Sequence, residues 1–136
     1  MRKCFSHSVS LLRSRAFGGL GVKILRVPQS WPVSVIHETF PEKGNFPYVS
    51  HARTSELVYV LSGEARAYLG ARRVTVRGGD YLLIPPGTRH RFVTGAKPMS
   101  ALSVFFPPMD WKRFDAVIAG RGRSSAAGTR TPKKRG

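Results

Sequence analysis

Between Val33 and Pro108 apolar and polar positions alternate with a period of two, in short runs parted by glycine, proline and other turn residues: VSVIHETF, ELVYVLSG, ARAYLG, RRVTVRGGD, YLLIPPG, HRFVTG and LSVFFPP. Val74 and Val76 alternate with Arg73, Thr75 and Arg77, and Ala65 and Ala67 alternate with Arg66 and Tyr68. Side chains of a strand point to its two faces in turn, so these runs predict half-buried antiparallel strands. Strands this short, at this regular spacing, predict an all-β sandwich or small barrel. After the last run, Asp110 is a suitable N-cap for a helix carrying Trp111, Phe114 and Ile118 on one face and stopping at Gly120. No internal repeat and no second hydrophobic core is visible.

Charge divides the chain. The formal net charge is +16, and residues 1–30 and 116–136 supply twelve of those charges, with no acid in either segment. The remaining 31–115 has the balance of an ordinary domain. Three segments are expected: a basic leader over 1–30, disordered or transit-like; a barrel with its closing helix over 31–120; and a basic disordered tail over 121–136. The leader reading rests on Phe5, Val9, Leu12 and Ala16 at helical spacing in an acid-free, Ser- and Arg-rich stretch. A cytoplasmic location is expected, with a mitochondrial one as the alternative. Cys4 is the single cysteine, which excludes an intramolecular disulfide and any zinc site of paired cysteines. No run is long and apolar enough to span a membrane as a helix. Any contact with polyanions is expected to be nonspecific and carried by the basic ends, without sequence-specific nucleic-acid recognition.

GGDYLLIPPGTRHRF places Gly79, Pro85, Gly87 and His90 in a turn, a strand, a second turn and a second strand. VSHARTSELVYVLSG places His51, Glu56 and Gly63 upstream. The two resemble the second and first motifs of the cupins, in the right order and at the right distance, over about residues 47–94. The resemblance implies an all-β fold, the cupin double-stranded β-helix or jelly-roll barrel of RmlC-like proteins, here with a short C-terminal helix. It also implies a metal site at His51, Glu56 and His90, holding a divalent transition metal such as Fe, Mn, Ni or Zn. Two positions depart from the pattern: Val49 stands where the first histidine of the His-x-His pair is usual, and Thr94 where the second motif ends in Asn.

The residues support a meeting of the three independently of the family. His51 and Glu56 are five apart and would face opposite ways on one strand, so a turn over Ala52–Ser55 has to intervene. Val58 and Val60 then share Glu56's inward face, and a carboxylate at an apolar cavity requires a partner. His90, whose next inward residue is Phe92, can provide it. Two histidines and one carboxylate with open positions suit Fe(II), Mn(II), Ni(II) or Zn(II). A hydrogen-bonded histidine–glutamate pair without metal is the other reading, and Val49 suits it. His37 is the one further histidine that could reach the cavity, although a lone strand histidine is commonly surface or core filler. Tyr48 and Arg53 are candidate contacts for an anionic small molecule, with Val58 and Phe92 lining the cavity; Arg89 and Arg91 should point outward.

Two functions follow. One is a metal-dependent enzyme of dioxygenase or isomerase type acting on a small molecule. The other is a metal-free module that binds or senses a small, sugar-like effector, since the barrel is also similar to the sensor domain of arabinose-operon-type regulators. Leu57, Tyr59 and Leu61 on the outward face of ELVYVL lead to the expectation of a homodimer.

Overall fold

A computed structural model describes residues 4–111. Nine strands follow a single turn of 3-10 helix at Val9–Leu11: β1 (Arg15–Phe17), β2 (Leu20–Ile24), β3 (Ser34–Phe40), β4 (Ser55–Ser62), β5 (Glu64–Leu69), β6 (Arg72–Arg77), β7 (Tyr81–Ile84), β8 (His90–Thr94) and β9 (Met99–Phe106). All strand pairs are antiparallel, in a six-stranded sheet of order β1-β2-β3-β9-β4-β7 and a three-stranded sheet of order β6-β5-β8. This is the two-sheet jelly roll that the period-two pattern and the resemblance predict. The closing helix lies outside the described residues beyond Trp111.

The inward residues are those of one parity on each strand. Glu56, Val58 and Val60 on β4, Ala65 and Ala67 on β5, His90, Phe92 and Thr94 on β8, and Met99, Ala101, Ser103 and Phe105 on β9 are all buried. Alanines at 65, 67 and 101 leave room for the Phe40, Phe46 and Phe92 rings, which meet with centroids 5.1 and 5.3 Å apart around Phe40. Gly63, joining β4 to β5 at φ +78°, cannot be replaced: an added Cβ would lie 2.0 Å from the Pro98 carbonyl oxygen.

Part of the segment expected as a leader pairs with the barrel. Residues 15–24 form the β1–β2 hairpin, and β2 pairs with β3 from Gly21↔Thr39 to Ile24↔Ile36. Phe17 and Val22 are buried with Ile36 and Phe105 in a second cluster that extends the core under the hairpin. Arg15 and Lys23 made this stretch read as basic. Both lie on an edge hairpin, where Lys23 Nζ donates to the Val9 carbonyl at 3.2 Å.

Candidate metal centre

Backbone pairing assembles the site. Ahead of β4, residues 45–49 run beside β8, with bridges at Asn45↔Val93 and Val49↔His90. The amide of Val49 donates to the His90 carbonyl and that of His90 to the Val49 carbonyl, both at 2.9 Å. Two residues on, the Gly87 amide donates to the His51 carbonyl at 2.8 Å, tying the turn of the second motif to the first. Gly87 has φ +82°, which suits glycine in the Pro86-Gly87 turn. The chain bends at Ala52–Arg53, and β4 then starts with Glu56 pointing inward. His51 packs edge-on against Phe105 with ring centroids 5.5 Å apart, so the cluster under the hairpin backs this histidine.

His51, Glu56 and His90 meet. The Glu56 Oε1 lies 3.4 Å from His51 Nε2 and 3.3 Å from His90 Nε2, and one ligand atom from each of the three lies within 4.8 Å of the others. Glu56 is 4% and His90 3% exposed. The two imidazoles are the polar groups facing Oε1, which is buried, and both contacts are longer than an ordinary hydrogen bond. His90 Nδ1 is 2.9 Å from the Thr88 carbonyl oxygen. A carbonyl can only accept, so Nδ1 carries the hydrogen and, in the neutral ring, Nε2 presents a lone pair to the carboxylate. Two acceptors facing each other in a buried site require a proton or a cation between them.

With a proton there, the pair is ionic. Burial by itself raises the Glu56 carboxyl, but the adjacent His51 and His90 imidazoles outweigh it and hold it down at about 2. Burial lowers His90, and Glu56 more than reverses this, so its pKa is raised. The spacings suit a cation equally. Bonds of about 2.0–2.2 Å to nitrogen and oxygen in a tetrahedron separate neighbouring ligand atoms by about 3.3–3.6 Å, which the two distances from Glu56 to the imidazoles match. The Thr88 carbonyl is the kind of partner that orients a ligating imidazole. The three residues therefore fit a divalent metal.

A second carboxyl, missing from the sequence reading, faces the same space. Glu38 lines a small inner cavity of about 50 Å³ together with His51, Glu56, His90, Phe92 and Phe105. Ser103 Oγ donates to its Oε1 at 2.6 Å. Burial first, and the Glu56 charge second, push its pKa up to about 8. His37, the further histidine expected to be able to reach the cavity, is on the opposite face of β3, half-buried beside Lys23, its pKa lowered by burial and by that lysine. The signal for Glu38 lay in VSVIHETF itself, because Glu38 shares the parity of Ile36 and Phe40.

A larger cleft of about 500 Å³ opens next to this cavity, between residues 49–54 and Pro107–Asp110. Val49 and His51 line both spaces. The Met109 amide donates to Ser34 Oγ at 2.9 Å and Thr54 Oγ1 to the Pro107 carbonyl at 3.4 Å, holding the cleft's far wall. Arg53 lines the cleft and Phe92 the inner cavity. Val58 is sealed in the core and Tyr48 lies against Arg89 and Arg91; neither lines these two spaces. Thr94, at the end of the second motif, is buried, donating to the Pro41 carbonyl at 2.5 Å and accepting from the Gly44 amide at 2.7 Å.

Residues 36–105 match the sequence profile of the family described as Cupin domain. The chain belongs to the cupin family. An RmlC-like cupin from Shewanella frigidimarina superposes on it with a TM-score of 0.69 at 20% identity, covering 81% of this chain and 96% of that one. A predicted oxalate decarboxylase from Thermotoga maritima gives 0.70 at 15% identity, with 76% and 99% covered. The nucleoside dehydratase Pac13 of Streptomyces gives 0.65 at 23% identity, with 81% and 88% covered. At these identities the likeness is one of fold. No curated protein matches the chain.

Proposed function

We propose that this cupin binds one divalent transition metal, of the Fe, Mn, Ni or Zn class, through His51 Nε2, Glu56 and His90 Nε2, and acts on a small molecule that arrives through the adjoining cleft. The observation that carries this reading is the convergence of a buried Glu56 oxygen and two imidazole nitrogens at one point. Held by these three side chains, a metal would supply Lewis acidity to a substrate oxygen. His51 joins cleft and cavity, Arg53 offers charge to an anionic group of the substrate, and the Phe40, Phe46 and Phe92 rings keep bulk water out. Glu38, protonated at neutral pH, holds a proton at its carboxyl that a substrate oxygen can receive. Proton-moving chemistry of this kind is supported by the dehydratase among the similar folds. Elemental analysis of the untagged protein after incubation with each metal tests the reading. Stoichiometric metal that disappears in His90→Ala is expected; clearly substoichiometric metal in the parent overturns it.

The metal-free reading, a binding module for a small effector, is favoured by one observation: Val49 lines the site where a cupin histidine is usual. Ligand binding that survives both His51→Ala and His90→Ala would favour it.

A homodimer through the outer face of the large sheet is part of the same proposal. Leu57 pairs with Leu83 and Tyr59 with Tyr81, and Leu102 and Val104 continue the row on β9. Tyr81 and Leu83 are 63% and 64% exposed, more apolar surface than a solitary barrel is expected to present to water. Sedimentation at tens of micromolar should show a dimer that Tyr81→Lys/Leu83→Lys dissociates; a monomeric parent contradicts this part.

A further inference from the structure

We propose that the outer face of the three-stranded sheet, built from Arg66, Arg73, Arg89 and Arg91 around Tyr48 and Tyr68, is a sequence-tolerant binding surface for single-stranded nucleic acid. Strand register sets it up: Tyr68 on β5 pairs with Arg73 on β6 and with Arg91 on β8, so a cation, a ring and a cation stand side by side across the sheet. Arg66, two residues along β5, shares that face.

Arg89 and Arg91 are held by rings, not by acids. The Arg91 guanidinium lies 4.6 Å from the centre of the Tyr68 ring and 5.0 Å from that of Tyr48, and Arg89 lies 4.3 Å over Tyr48. Arg66 Nη1 reaches the Tyr68 hydroxyl at 3.4 Å, and Arg91 Nη1 donates to Asn45 Oδ1. The Arg91 Nε is buried without an acceptor. Among the described residues none of the four is in an ion pair; Glu64, the acid of this face, is 3.9 Å from Arg77 at the far end. The field is strong enough to lower the Tyr68 hydroxyl's pKa, through the Arg66 hydrogen bond first and with Arg73 contributing.

Like charges on neighbouring strands, about 5 Å apart, repel one another and are relieved by an anion. The row crosses three strands, roughly 10 Å, which is more than a single phosphate covers and suits a chain of them. Guanidinium forks match phosphate oxygens, and stacked guanidinium and tyrosine planes are platforms for bases. A single strand can use both features. A duplex hides its base faces, and a sulfated polysaccharide or lipid surface has no planar groups to stack. The basic C-terminal segment adds charge, but residues 116–136 contain no aromatic side chain on which a base could stack.

The test is fluorescence anisotropy of the full chain with labelled mixed-sequence single-stranded RNA and DNA 12-mers, over a range of NaCl concentrations. The same sequence as duplex, heparin, and vesicles containing phosphatidylserine serve as comparison probes. Arg66→Gln/Arg73→Gln should weaken single-strand binding about tenfold at 0.1 M salt and reduce the salt slope by about 1.4, the value for two phosphates at roughly 0.7 each. Arg130→Gln/Arg135→Gln, which removes the same charge from the tail, should change affinity by less than about threefold. Tyr68→Ser should weaken the single strand about fivefold or more while leaving heparin unaffected, and Tyr68→Phe should restore it. Equal effects of the face and tail pairs, Phe and Ser variants that behave alike, or tighter binding of heparin, duplex or vesicles than of the single strand would each overturn the proposal.

Discussion

Glu38 and Glu56 occupy two corners of one cavity, on strands that flank β9 in the same sheet, and both are buried. Their chemistry is opposite. Glu56 faces two imidazoles and stays ionised with a pKa of about 2; Glu38 faces the Glu56 charge and a single serine hydroxyl, and at about 8 it keeps its proton at neutral pH. Burial acts on both in the same direction. What decides is the partner each is given: His51 of the first motif and His90 of the second for one, Ser103 of β9 for the other. On the proposed reading, Glu56 would serve as a metal ligand and Glu38 as a proton donor on the same space.

The largest test of this contrast removes the ionised member. Glu56→Ala should lower metal affinity by at least about a hundredfold, since it takes away a ligand and not merely a supporting contact. Competition titration against a chromophoric chelator measures it. Unchanged affinity would mean that the Glu56 corner is not a metal site. The same titration on Glu38→Gln should show little change, which separates the two corners.

Next in size is the pH dependence of folding in the metal-free protein. Glu38 is protonated in the folded state up to about pH 8 but ionises near 4.5 when unfolded. The unfolded state therefore binds fewer protons between these values, and stability should fall as pH rises through that window, then level off, by an amount on the order of a few kcal/mol. His90, with a raised pKa, adds to the trend, its contribution being full below 6.5 and lost as pH rises through its folded value. Glu56 acts on the acid side, where its contribution is present above 4.5 and lost as pH drops toward 2. Urea denaturation from pH 4 to 9 should show Glu38→Gln with a shallower decline and higher stability than the parent at pH 8. Parallel curves for the two proteins would refute the assignment of a protonated Glu38.

Ser103→Ala should have a smaller effect. It leaves Glu38 without its donor and should cost about 1–3 kcal/mol while metal affinity stays as in the parent. Loss of metal in this variant would show that the two corners are not independent. The smallest change is expected from Val49→His, which adds a nitrogen two residues from His51 and beside both cavities. Affinity should rise about three- to tenfold, with turnover equal or lower because a position open to substrate is filled. No gain in affinity would show that residue 49 does not reach the metal.

The legible part of this protein was whatever repeats over two residues or is spelled as a turn. Val58 beside Glu56, Phe92 beside His90 and the glycines at 63 and 87 could be assigned from the chain alone, because alternation and positive φ are local properties. Parity also contained Glu38, which shares the buried face of Ile36 and Phe40 while His37 takes the other face. The β1–β2 hairpin was not legible: Phe17 and Val22 are apolar residues among arginines and glycines until β3 lies beside them, and only that pairing makes burial possible. The same holds for the stack of Arg91 between Tyr48 and Tyr68, residues up to 43 positions apart in sequence. A sequence determines which face of its strand a residue shares with its neighbours two along. Which strands meet, and therefore whether a buried carboxyl finds an imidazole, a hydroxyl or another charge, depends on contacts between distant segments, and those exist only once the barrel has closed.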